Sequence, residues 1–302
     1  MHADQIQLDE RTARALVADH FPEYRHEPVA RLSGAGTENA IFRVGGSLVA
    51  RFGLRPAEPE ECRRRLETEA SAMAEFSRCC PFATPLPVGM GGPGRGYPLS
   101  WMLQRWVEGE VATPGRSAAS ELLAQDVVRL VASLRAAPTH GRRFRGPGRG
   151  GHLPDHDSWM ATCFDRSEGL LDVAALRRLW ASLRVLPPAG PDVMSHKDLI
   201  PANLLLRGGR LAGVLDAGSF GAADPALDLV AAWHLFDRGP RELFRARLGS
   251  SSLEWHRGAA WALQQAMGLV WYYRDTNPAM SELGRSTLSR LLDDPELRSL
   301  RA

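Results

Sequence analysis

Asp198, Asn203 and Asp216 are the residues of this chain whose types and spacing could carry a reaction. The first two lie in Ser195-His196-Lys197-Asp198-Leu199-Ile200-Pro201-Ala202-Asn203, and Asp216 follows in the next segment. A carboxylate, an amide carbonyl and a second carboxylate, in that order, meet the needs of phosphoryl transfer. One Asp receives the proton of an attacking hydroxyl, while an Asn oxygen and a second Asp hold the magnesium that neutralises a triphosphate. Asp198 is then the catalytic base, and Asn203 and Asp216 are the metal ligands. Asp198 as a mere turn or helix cap is the alternative, and its coincidence with Asn203 and Asp216 speaks for catalysis.

The chain between these residues must fold back on itself. Leu204 to Leu215 reads as two apolar strands around Arg207-Gly208-Gly209-Arg210, where the glycines supply the positive φ angles of a two-residue hairpin turn. A regular hairpin at that turn sets Asn203 opposite Val214 and leaves Asp216 just past the open end. Paired strands run roughly 4.8 Å apart, so one divalent ion could touch both side chains. Pro201 restrains the loop ahead of the first strand.

Beyond Asp216 comes Gly218-Ser219-Phe220-Gly221-Ala222-Ala223-Asp224-Pro225-Ala226-Leu227-Asp228-Leu229. The succession H-x-D-x(4)-N, a short hairpin, Asp and then D-P-A-x-D-L resembles the aminoglycoside phosphotransferase family of antibiotic and small-molecule kinases. The core of the resemblance runs from His196 to Leu229, with weaker similarity over most of the chain. It implies an α+β, two-lobed, protein-kinase-like fold, with a small N-terminal antiparallel sheet lobe and a larger helical C-terminal lobe. It also implies ATP or GTP as phosphate donor, Mg2+ as cofactor, and a hydroxyl acceptor such as an aminoglycoside, a macrolide or a related antibiotic, whose inactivation confers resistance. The expected division is residues 1–107 for the nucleotide-binding lobe and 108–302 for the helical lobe with catalytic loop, metal site and acceptor pocket. His196 fits an orienting hydrogen-bond role, since the transfer already has its carboxylate. Asp224 could cap a helix starting at Pro225, and Asp228 could brace the catalytic loop from that helix. The family usually has Gly where this chain has Lys197, which could touch a phosphate, hold an acidic substrate group, or be solvated.

In the N-terminal lobe, Ala40-Ile41-Phe42-Arg43-Val44 and Ser47-Leu48-Val49-Ala50-Arg51-Phe52 read as strands joined at Gly45-Gly46. Arg51 takes the place of the kinase strand lysine and can grip phosphate with two donors. A helix from Pro59 to Ser77 has apolar residues at helical intervals and carries Glu69, a candidate partner for Arg51 and otherwise a solvated charge. Gly34, Gly36 and Thr37 could form a phosphate-covering loop or a plain hairpin turn. Further strands are expected over Thr84 to Gly89 and Tyr97 to Val107, with the base held near Gln104 and Trp106. Trp101 or Trp106 could stack on the base or fill the interior.

The helical lobe should contain helices over Ser120 to Arg135, Trp159 to Phe164 and Val173 to Leu183, with more after the catalytic loop. Trp271, Tyr272 and Asp275, at the end of an apolar run from Trp261, are the candidate acceptor contacts, and the aromatics could equally be core. The residues after Trp233 carry mixed charge and no acidic cluster, which counts against a polycationic acceptor. The locally basic, Gly-rich stretch Arg142 to Gly151 reads as a mobile surface loop.

Composition sets the outer limits. The 302 residues are 44% hydrophobic with a formal charge of +2, enough chain for two lobes and too little charge for a nucleic-acid partner held by electrostatics. Cys62, Cys79, Cys80 and Cys163 have neither zinc-site spacing nor disulfide density, and no signal-like or membrane-length apolar run occurs. A soluble cytoplasmic monomer is expected. Lys197 is the only lysine, which excludes a G-K-[ST] phosphate loop. Two other readings differ in class: a non-catalytic kinase-like nucleotide-binding protein, and a pyridoxal-phosphate enzyme with Lys197 as Schiff base. A kinase of a small metabolite is the remaining alternative.

Overall fold

The computed structural model describes residues 5–32 and 39–300. Its contacts divide the chain into two compact units. The first joins the chain up to Arg78 with Ala83–Glu108 and Leu215–Ser219, and the second joins Cys79–Phe82, Gly109–Val214 and the chain from Phe220 onward.

The first unit is a sheet with two helices. Helix α1 (Glu10–His20) begins at Asp9, whose carboxylate accepts from the Thr12 amide at 2.7 Å, an N-cap that satisfies one of the helix's orphan donors. Strands β1 (Val29–Arg31), β2 (Asn39–Val44) and β3 (Leu48–Gly53) precede helix α2 (Pro59–Cys79), and β4 (Pro87–Gly91) and β5 (Trp101–Arg105) follow it. The sheet runs β1-β2-β3-β5-β4, antiparallel throughout. Alternation writes the inner face: Ala40, Phe42 and Val44 are buried while their neighbours on β2 are half-exposed. Gly45, at φ 57, makes the tight turn into β3. Pro87, which cannot donate to a ladder, opens β4 at the sheet edge. Phe52 stacks on Trp101 at 4.6 Å, and Trp101 is fully buried, so it fills the interior.

The second unit is mostly helical. It holds β6 (Glu110–Val111), α3 (Pro114–Ser117), α4 (Glu121–Ala136), α5 (Asp157–Arg166), α6 (Val173–Leu183), β7 (Val193–Ser195), β8 (Leu204–Arg207), β9 (Arg210–Val214) and β10 (Gly221–Ala223). Helices α7 (Val230–Leu235), α8 (Arg238–Leu248), α9 (Ser252–Tyr272), α10 (Pro278–Asp293) and α11 (Pro295–Ser299) complete it. Helix α9 is buried on nearly every side from Trp255 to Gly268, as an all-round apolar helix must be. Gly258 lets it approach the turn that carries Asp228, since a Cβ there would lie 2.7 Å from Leu229 Cβ. Among the described residues no helix is long and apolar enough to cross a membrane, and the four cysteines are free thiols.

Three expectations change. The Gly208-Gly209 turn forms, but a bulge near Leu205/Leu206 shifts the ladder so that Leu204, not Asn203, pairs with Val214. The extra residue on β9 takes up the difference. No helix begins at Pro225: Asp224 accepts from the Ala226 amide at 2.9 Å in a turn, and the chain reaches α7 only through the 3-10 turn Leu227–Leu229. The basic stretch is a mostly exposed loop, as expected of a surface segment, but it is tied down at particular points. Phe144 N donates to Asp192 at 2.6 Å, Asp224 N donates to Gly150 O at 2.8 Å, and a Cβ on Gly150 would lie 2.8 Å from Ala223.

Asp224 forms a buried ion pair with Arg257, and the Trp261 indole donates to the same carboxylate oxygen at 2.9 Å. Arg257 also donates to the Leu186 and Pro187 carbonyls at 2.7 and 3.1 Å, so it ties α9 to the segment after α6. Removing one partner strands a buried charge, so Arg257→Leu should lower unfolding free energy by about 3–5 kcal/mol in urea titration.

Candidate active site

In the second unit the site is built from the turn that leaves β7. Asp228, nearly fully buried, accepts from Ser195 Oγ at 2.8 Å, His196 N at 2.9 Å and Lys197 N at 3.1 Å. Three donors on one carboxylate fix the backbone at successive residues. The β7–β10 pairing, Ser195 opposite Gly221, brings the two segments together. Lys197 adopts φ 73, a left-handed conformation that costs a non-glycine residue about 1–2 kcal/mol. The position is one that glycine occupies without strain. The Lys197 side chain lies against Phe144, with its ammonium 5.7 Å from the ring centroid, and burial pushes its pKa down.

Asp198 is then presented with both oxygens engaged. Oδ1 accepts from Gln265 Nε2 at 2.6 Å and Arg149 Nη2 at 3.0 Å, and Oδ2 accepts from Asn203 Nδ2 at 3.1 Å. The Asp198 amide donates to His196 Nδ1 at 3.3 Å. Asn203, in the 3-10 turn Pro201–Asn203, also donates Nδ2 to the Asp198 carbonyl at 2.9 Å. Its amide nitrogen is committed to Asp198, so its carbonyl oxygen is the atom left to meet a cation. The carboxylate of Asp198 remains 27% exposed, enough for a substrate hydroxyl to reach it.

The first unit holds the other set. Arg51 on β3 and Glu69 on α2 form an ion pair, and both line a cavity of ≈ 340 Å³ with Asn39, Arg55, Arg65, Ser100 and Asp216. Gly218 lets its segment lie against Glu69, since a Cβ there would stand 3.2 Å from Glu69 Cγ. Asp216 has φ 59, a second strained non-glycine residue. Strain of this kind gathers where surrounding structure fixes a functional group. Arg51 Nε is buried with no hydrogen-bond partner among the described residues, a donor that a ligand could use. The carbonyl oxygen of Asn203 in the second unit and the carboxylate of Asp216 in the first are each hard oxygen donors of the kind magnesium takes. Among the described residues no cluster of three or more His, Cys, Asp or Glu forms a complete protein cage.

The remaining candidates fall as follows. Gly34, Gly36 and Thr37 lie outside the described residues. The Trp106 amide donates to Ser47 O at 2.8 Å, and its indole face holds the Arg43 guanidinium at 4.0 Å. Gln104 sits in β5 between Val49 and Pro87. Trp271 packs beside Trp159 at 6.0 Å, Tyr272 is 46% exposed, and Asp275 is 88% exposed with Arg274 3.8 Å away. Sequence reasoning missed Arg149, Gln265 and His234. Arg149 stood in a stretch already singled out as basic, but nothing local distinguished it from its neighbours, and a glutamine on an apolar helix gives no motif at all.

Behind Gln265, its Oε1 lies 3.1 Å from His234 Nε2, and His234 Nδ1 lies 2.8 Å from Thr287 Oγ1. Complete burial lowers the His234 pKa from 6.5 to about 4, so the ring is neutral at pH 7.

The sequence profile of the phosphotransferase enzyme family matches residues 29–261. Among solved structures, the GDP complex of aminoglycoside 2'-phosphotransferase-IIIa superposes with a TM-score of 0.67 at 18% identity, covering 94% of this chain and 98% of that one. Macrolide 2'-phosphotransferase MphH from Brachybacterium faecium gives 0.62 at 18% identity, covering 93% and 97%. An ADP-bound aminoglycoside phosphotransferase gives 0.59 at 15%, covering 92% and 98%. No curated protein matches the chain. At such identities these likenesses establish the α+β, protein-kinase-like fold, and the profile carries the family.

His234 has a testable signature. Because its folded pKa of about 4 lies below the ordinary 6.5, the unfolded chain binds the extra proton first. Its contribution is complete above pH 6.5 and is lost as pH falls towards 4, by up to about 3 kcal/mol. Urea titrations across that window should show the loss in the wild type and a flatter dependence in His234→Gln.

Proposed function

This chain belongs to the phosphotransferase enzyme family, and on that premise we propose that it moves the γ-phosphate of ATP or GTP to a hydroxyl of an antibiotic-like small molecule. As a family member it is a nucleotide-dependent phosphotransferase with an alcohol group as acceptor. The observation that carries the finer reading is the Asp198 carboxylate, held by three side-chain donors yet open to solvent. Asp198 accepts the proton of the attacking hydroxyl. Asn203 and Asp216 would hold magnesium, which when bound would neutralise the charge of the triphosphate. Arg51, oriented by Glu69, grips the phosphates, and Gly34, Gly36 and Thr37 are the further nucleotide-binding candidates. Gln104 and Trp106 border the base. His196, Asp224 and Asp228 support the catalytic loop, and Trp271, Tyr272 and Asp275 are the acceptor-side candidates.

The similar structures include enzymes named for aminoglycosides and for macrolides. Arg149 places a positive charge 3.0 Å from Asp198, which opposes a polycation at the point of transfer. That favours an acceptor of low positive charge, such as a macrolide or another sugar-bearing antibiotic. Phosphorylation would inactivate it in the cytoplasm and confer resistance.

A panel of hydroxylated antibiotics, incubated with the protein, Mg2+ and ATP or GTP, should give a monophosphorylated product by mass spectrometry. Asp198→Ala should lose about 10²–10⁴-fold in kcat while keeping nucleotide affinity. Arg51→Ala should raise the nucleotide KM by about tenfold or more, the loss of a charge-assisted contact. Nucleotide binding with no product from any acceptor, small metabolites included, would turn the reading to a non-catalytic nucleotide-binding protein.

A further inference from the structure

The carboxylate proposed to accept the proton is connected to the core by a chain of side chains that no part of the phosphotransferase reading assigns. Gln265 on α9, His234 on α7 and Thr287 on α10 follow one another inward from Asp198, and they are 8%, 0% and 0% exposed. We propose that Thr287, His234 and Gln265 are positioning residues, a hydrogen-bond chain of fixed direction that sets the orientation of the Asp198 carboxylate.

The direction follows from what each group can do. A carboxylate oxygen only accepts, so the Gln265 atom at 2.6 Å from Asp198 Oδ1 is the amide NH2. The Gln265 carbonyl oxygen must then face His234, 3.1 Å from Nε2, and that ring nitrogen must carry the hydrogen. A neutral imidazole has a single N–H, so Nδ1 is bare and accepts from the Thr287 hydroxyl at 2.8 Å. Every link donates toward Asp198. Burial keeps the ring neutral, and a protonated ring would donate from both nitrogens and force the Thr287 hydroxyl to turn away. Histidine is therefore suited to this place because it donates on one side while accepting on the other.

The chain acts on a single torsion. Arg149 and Gln265 both donate to Oδ1, whereas among the described residues Oδ2 accepts from Asn203 alone. Rotation of the carboxylate would break the shortest of these bonds. Oδ2, with the fewer donors, is the oxygen directed to the incoming hydroxyl. Gln265 sits on α9, a helix buried without a break from Arg257 to Gly268, so the orientation is inherited from a rigid element rather than from the loop.

The inference rests on Asp198 being the proton acceptor, and the test separates the two. The probe is Mg2+ with ATP or GTP and water as acceptor, so no antibiotic has to be known. Gln265→Leu should lower kcat by about 10²-fold with the nucleotide KM unchanged, the cost of a misplaced reacting group. Thr287→Val should lower kcat less, by about tenfold or under, and Thr287→Ser should restore it, because only the hydroxyl differs in function. Long-range 1H–15N spectra of histidine-labelled enzyme should show His234 as the Nε2–H tautomer from pH 8 to 6, with Nδ1–H appearing in Thr287→Val.

Wild-type kcat in folded Gln265→Leu, or an Nδ1–H tautomer in the native enzyme, overturns the chain. Equal turnover by Asp198→Ala and the wild type overturns the proton-acceptor reading instead. If Gln265→Leu does not fold, or hydrolysis is too slow to follow, the tautomer and its response to Thr287→Val decide the matter.

Discussion

The buried carboxylate of Asp228 is the point on which the second unit's site depends. It gathers Ser195 Oγ and two consecutive backbone amides, so the turn after β7 has one conformation open to it. A buried carboxylate without donors would cost several kcal/mol, and with three it is stable where it stands. The turn it fixes carries Asp198 out of the core with its backbone already set. Asp224, four residues earlier, anchors the same segment to α9 through Arg257 and Trp261. The D-P-A-x-D-L segment thus contributes two buried carboxylates, one bonded to the backbone after β7 and one to α9.

Strain marks what this arrangement must overcome. Lys197 and Asp216 both hold left-handed backbone without being glycine. At Lys197 the compensation is visible: its amide bonds to Ser195 Oγ and Asp228, and its side chain packs on Phe144. Phe144 and Arg149 belong to one segment, and three of its glycines, Gly146, Gly148 and Gly150, take positive φ. Glycine's freedom lets that segment turn tightly enough for Arg149 to reach Asp198. The single lysine therefore helps fasten the segment that delivers a second cation, the arginine, to the proposed base.

Charge is handled differently in the two units. The first collects Arg51, Arg55 and Arg65 around a cavity with Glu69 and Asp216, a lining of mixed charge. The second surrounds one carboxylate with neutral and cationic donors from α9, the Gly-rich segment and its own loop. The charged cavity and the partly exposed carboxylate thus belong to separate packing units of one chain.

The amino-acid sequence by itself determined what was local. The Gly208-Gly209 hairpin, the strands on either side of Gly45, the helix carrying Glu69 and the order of Asp198, Asn203 and Asp216 all follow from turn chemistry, periodicity and spacing, which act over a few residues. Tertiary structure decided the remainder. The hairpin register moved by one residue because a bulge depends on cross-strand packing, and the segment expected to start a helix at Pro225 is a turn whose Asp224 pairs with Arg257, distant in sequence. Arg149 and Gln265 meet at Asp198 from segments far apart along the chain. A hydrogen bond between such residues leaves no trace in spacing or periodicity, because its geometry exists only after the helices have packed.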